Sequence, residues 1–148
     1  MTVNERAVWA TLITFPLVGA VYFAVVLTRA AEMPVDEVSW VVPMIWAMGL
    51  LIGMVILGTI AASIATAIAA EARGETAELE EGDVRDKQIE LLGDARAYQL
   101  SGFGGLAAII LLMVGAEPFW VANTLFLSGI LTGMLAAGIK IRAYRNGL

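Results

Sequence analysis

Four blocks of this 148-residue chain carry no charge and are each long enough to cross a bilayer: Ala7–Thr28, Val38–Ala70, Ala97–Ala116 and Pro118–Ile139. About 20 apolar residues in a helix cover roughly 30 Å of hydrocarbon. Lipid offers no hydrogen bonds to a backbone, so such blocks are expected to be helices. With 59% hydrophobic and only 16% charged residues, a soluble domain of this size could not cover its apolar surface. The expected fold class is all-α integral membrane. Four transmembrane helices form two same-orientation hairpins, joined by a long cytoplasmic connection that contains an amphipathic helix. Residues 1–148 read as one transmembrane domain: hairpin one (7–72), an acidic segment (73–96), hairpin two (97–142) and a tail (143–148). The first block is about twice the length of a signal-peptide core, and MTVNER before it is barely basic, so it reads as a retained helix.

Orientation follows from Lys and Arg. Arg6, the set Arg73, Arg85, Lys87 and Arg96, and the set Lys140, Arg142 and Arg145 fall on one side of four crossings, and Arg29 alone on the other. The positive-inside rule puts both termini and the middle connection in the cytoplasm. Trp40 and Trp120 then sit at the outer boundary, and Trp9, Tyr98 and Tyr144 near the inner one, as interfacial aromatics do.

An offset of 80 residues aligns helix 2 with helix 4 without a gap. WVVPMIWAMGLLIGMVILG and WVANTLFLSGILTGMLAAG share seven of nineteen positions, including Gly49/Gly129, Gly53/Gly133 and Gly58/Gly138. The alternative is that interfacial Trp and packing Gly recur in any outside-to-inside helix. A real repeat would relate the hairpins by an axis along the membrane normal. Each copy carries GxxxG, a flat strip that admits another helix backbone. Helices 2 and 4 are therefore expected to pack tightly, with each other or across a homo-oligomer interface, through Gly49, Gly53, Gly58, Gly129, Gly133 and Gly138.

Nine acids lie between Glu71 and Asp94 and account for much of the net charge of −5. An acidic face repels polyanions, so nucleic acid is not an expected partner. Residues 83–99 form a helix candidate that runs into helix 3, with Asp83, Asp86, Lys87, Glu90 and Asp94 on one side. Val84, Leu91, Ala95 and Tyr98 share a second side, and Arg85, Ile89, Leu92 and Arg96 a third. One reading is a solvated face whose arginines snorkel toward lipid phosphate. The functional reading is a docking surface for a cytoplasmic or membrane protein, made by Asp83, Arg85, Asp86, Glu90, Asp94 and Arg96. Three acids along a helix seldom supply the six oxygens a hard cation needs, so no metal is expected.

DVRDKQIELLGDARAY resembles the signature of a family of small prokaryotic four-helix membrane proteins of unknown function, D-E-R-D-x-x-I-x-x-x-G-[DE], followed by Tyr, before the third helix. Asp83, Arg85, Asp86, Ile89, Gly93, Asp94 and Tyr98 match, and Val84 stands where the pattern has an acid. PFWVANTLF, with Asn123, resembles the family's fourth-helix opening; the resemblance spans most of residues 83–145. It implies a prokaryotic inner-membrane location and no particular activity. The position of some members beside helix-turn-helix regulator genes implies a regulatory role.

An enzyme is not expected. The chain has no Cys and no His, no Gly-rich phosphate loop and no acid–base pair inside its apolar blocks, and no cofactor is expected. The leading expectation is a non-enzymatic regulatory or accessory component acting through the acidic helix. A small-solute transporter or channel assembled as an oligomer is the first alternative. It would draw on intramembrane Asn123, Thr124 and Ser128, with Thr132 below them and Thr59, Ser63 and Thr66 on helix 2, although hydroxyls of this kind more often bridge helices. A structural subunit of a larger membrane complex is the second.

Overall fold

The computed structural model describes residues 3–72 and 84–146, and among these every regular element is helical. α1 spans Val3–Glu32, α2 Val41–Glu71, α3 Val84–Met113 and α4 Pro118–Asn146, with a short 3-10 turn at Val35–Glu37. All four helices are long and apolar enough to cross a membrane. Asp83, the first residue of the helix candidate, lies outside the described residues, as do Gly82, expected as the break before it, and Gly74, expected as the stop of helix 2.

The charged segment is no separate element. α3 runs unbroken from Val84 through Asp94 to Met113, as the sequence pattern predicts. It ends in a Schellman motif: Gly115 takes φ 73°, its N–H donates to Leu112 O at 3.1 Å, and the Ala116 N–H donates to Leu111 O at 2.9 Å. Pro118 opens α4 at the first helical position, where its missing N–H costs nothing.

α3 packs on α4, α1 packs on α4, and α1 packs on α2. No other pair of helices makes an extended contact among the described residues, so the lateral order is α2–α1–α4–α3. The expectation that α2 packs on α4 fails within a single chain because α1 stands between them. Phe15 of α1 covers Gly133, and an apolar groove of about 490 Å³ separates Met48 and Leu51 of α2 from Leu125 and Gly129 of α4. A Cβ added at Gly49, Gly53, Gly129 or Gly138 would meet nothing within 4 Å, and one at Gly58 would meet only Ala10 of α1 at 3.3 Å.

Two kinds of packing hold the bundle. Toward the loop end, bulky side chains form one core: Val18, Tyr22 and Val26 of α1, Met44 and Leu51 of α2, and Phe119 and Ile130 of α4. Edge-to-face contacts of Tyr22 with Phe23 and Phe126, and of Phe119 with Trp40 and Trp120, organise it. The α3–α4 seam is instead built from small residues. Gly93, Ala97, Gly104 and Ala108 of α3 are buried along it, so the two backbones approach closely.

Candidate functional site

The buried stripe of α3 begins in its charged half, with Asp86, Ile89, Gly93 and Ala97. The acidic stripe Asp86, Glu90 and Asp94 is rotated from it by roughly half of the 100° step between helical residues, so the two share only Asp86. Asp86 is accordingly 4% exposed rather than on a docking surface. Ile89 is fully buried beside it.

Gly93 and Asp94 work together. Lys140 of α4 lays its stem over Gly93, and its ammonium reaches Asp94 at 2.7 Å. A Cβ at residue 93 would stand 2.5 Å from Lys140 Cγ, 2.7 Å from Cε and 3.1 Å from the Ala136 carbonyl oxygen. Only glycine leaves that path open. The Lys140 side chain is 14% exposed and that of Asp94 59%, so the pair seats a mostly buried cation against a half-solvated carboxylate. Two of the motif residues, Gly93 and Asp94, thus serve the joint between α3 and α4, and Asp86 and Ile89 are buried on the same helix. Arg85, Glu90, Leu91, Arg96 and Tyr98 are left on the outside.

Beside the ion pair, α1, α3 and α4 enclose a half-open cleft of about 240 Å³. Its polar lining comes from Glu90, Asp94, Lys140, Tyr144 and Thr11, whose hydroxyl donates to Ala7 O at 2.9 Å. Its floor is made by Ala7, Gly133 and Ala136, whose small side chains create the space. The Arg145 guanidinium stands 5.8 Å from the centre of the Trp9 ring and ties the ends of α1 and α4 together at the same level. Among the described residues no group of three or more His, Cys, Asp or Glu side chains could hold a metal ion.

The polar residues deeper in the helices are spent on packing and on local backbone bonds. Tyr22 donates its hydroxyl hydrogen to Asn123 Oδ1 at 2.9 Å, and Asn123 Nδ2 donates to Phe119 O at 2.8 Å. Asn123 is therefore a buried clasp between α1 and α4. Thr59 and Ser63 donate to carbonyls one turn back, Val55 O and Thr59 O. Ser128 donates to Leu125 O at 3.0 Å while its side chain faces Gly104, where a Cβ would collide with it. Thr124 is half-buried. The Thr132 hydroxyl is buried without a hydrogen-bond partner among the described residues.

Sequence reasoning missed the α3–α4 seam, Lys140 as the partner of Asp94, and Tyr22 as the partner of Asn123. The first had a signal, since Gly93–Ala97 and Gly104–Ala108 are each small residues four apart. Lys140 and Tyr22 had none, because nothing local marks which long-range neighbour a side chain meets. No family model, no curated protein and no solved structure matches the chain.

Proposed function

We propose that the chain is a multi-pass membrane protein of two same-orientation hairpins, with both termini and the 73–96 connection cytoplasmic. It acts there as a non-enzymatic regulatory or accessory component through the charged half of α3. The observation that carries this reading is the construction of α3: one rigid helix, clamped to α4 by Gly93, Asp94 and Lys140, that presents Val84, Leu91 and Tyr98 outward at 70–76% exposure beside Arg85 and Arg96. A partner seated on that face would move α3 and its seam as a unit. The docking surface is thus turned away from the acids toward the neighbouring apolar and basic sides. The hydrogen bonds made by Asn123, Thr59, Ser63 and Ser128 count against a polar pathway through one protomer, and so favour this reading over transport. Gly49, Gly53 and Gly129 have no neighbour within 4 Å of their Cβ positions among the described residues, which supports their use between copies in a homo-oligomer.

The test is photo-crosslinking in cells from a reactive side chain placed at Leu91 or Tyr98. A discrete protein adduct that disappears with Arg96→Glu is expected. Adducts to lipid alone at both positions would overturn the reading.

A further inference from the structure

The cleft between α1, α3 and α4 has the charge and shape of a binding site. Two carboxylates, Glu90 and Asp94, and one ammonium, Lys140, line it. Lys140 is already held by Asp94, so the cleft has a surplus of one negative charge and no free cation for an anionic ligand. Glu90 and Asp94 are four residues apart on α3, which places their side chains side by side on one helix face. Among the described residues no third carboxylate joins Glu90 and Asp94, and two alone offer too few oxygens for a hard divalent cation. A quaternary ammonium is recognised by several aromatic faces, and Tyr144 is the one aromatic side chain that lines this space. A primary ammonium fits better, because its three N–H donors can be shared between Glu90 and Asp94.

The apolar floor of Ala7, Gly133 and Ala136 suits the carbon chain that carries such a group, and about 240 Å³ admits a small amine rather than a nucleotide or peptide. We infer that this cleft binds the primary ammonium of a small amphiphilic amine, with Glu90 as its principal acceptor. The ammonium can belong to a free amine or to the headgroup of an aminophospholipid. The cleft lies at the boundary where the uncharged blocks of α1 and α4 begin and end, which is headgroup depth if the membrane placement proposed above holds. The ligand site itself does not depend on the accessory role or on any protein partner.

The experiment uses the full chain purified in a non-ionic maltoside detergent, which carries no ammonium group, in a buffer without amine. Native mass spectrometry would compare retention of phosphatidylethanolamine with that of phosphatidylcholine of the same chains. A parallel titration would follow binding of free ethanolamine by chemical-shift changes of the Ala7 and Gly133 amides. The wild type is expected to prefer the primary amine, and Glu90→Gln to weaken it roughly tenfold, as loss of one charge-assisted hydrogen bond would. Ala7→Leu, which fills the floor and leaves every charge in place, should reduce binding as well. Selective retention of the lipid alone assigns the headgroup, and binding of ethanolamine with the same Glu90 dependence assigns a free amine. Equal retention of both lipids together with no ethanolamine response overturns the proposal, as does an amine preference that survives Glu90→Gln. Loss of the protein adduct at Leu91 would bear on the accessory role and leave these outcomes unchanged.

Discussion

Lys140 of α4 reaches Asp94 of α3 by lying across Gly93, so the ion pair and the glycine are one device. Gly93→Ala places a methyl group where the lysine stem and the Ala136 carbonyl already stand. Overpacking of this kind costs about 1–3 kcal/mol, and the thermal midpoint in detergent should fall accordingly. Adding Lys140→Ala should restore part of the loss, because the stem is then gone while the carbonyl remains. An unchanged midpoint for Gly93→Ala alone would contradict the packing.

The two acids one turn apart should respond very differently to truncation. Asp94→Ala leaves a mostly buried ammonium without its carboxylate, a loss of about 1–3 kcal/mol. Glu90 is exposed and makes no ion pair among the described residues, so Glu90→Ala should stay within about 0.5 kcal/mol of the wild type. Equal midpoints for the two variants would remove the distinction drawn between anchor and rim.

At the other close approach, Gly104→Ala drives a methyl group into the side chain of Ser128. Ser128→Ala should not relieve this, since the Ser128 Cβ is itself in the way. Ser128→Gly should. Rescue by alanine as well as by glycine would mean that the hydroxyl, and not the approach of the two backbones, sets the contact.

Much of the fold is legible in the residues because the strongest signals are local. Uncharged blocks of about 20 residues leave a backbone in lipid no choice but helix, and Gly115 followed by Pro118 marks the turn between α3 and α4. The run from Val84 into the apolar half of α3 follows from the absence of proline between them, with Gly93 as the single weak point. The partners of each face are not local in this sense. GxxxG at Gly129–Gly133 looks the same in sequence whether a helix backbone or the Phe15 ring covers it, and it is Phe15 that covers Gly133. The acidic stripe likewise looks solvent-facing until α4 is in place, and a rotation of about half a residue step then buries Asp86 while leaving Glu90 outside.

Tyr22 and Asn123 form a buried hydrogen bond that joins α1 to α4. Interhelical hydrogen bonds among membrane helices average about 0.6 kcal/mol and rarely exceed about 1.7. Tyr22→Phe and Asn123→Leu should each destabilise by that order. The double variant should lose less than the sum, because both single changes remove the same bond. Strict additivity in the double-mutant cycle would show that the bond contributes nothing, and a solute flux abolished by Asn123→Leu without loss of stability would return Asn123 to a transport role.

The glycines of the repeat divide into two classes that substitution should separate. Gly133→Ile must displace Phe15 from α4, so it should lower the stability of the monomer itself by several kcal/mol or prevent folding. Gly49→Ile and Gly53→Ile add side chains where nothing stands within 4 Å, so the fold should tolerate them. If copies associate through this face of α2, those two variants should shift the mass in detergent toward the monomer while leaving the thermal midpoint of the monomer in place. Monomeric mass for the wild type would remove the homo-oligomer reading. A fold lost at Gly49 as readily as at Gly133 would instead mean that α2 packs on α4 within one chain after all.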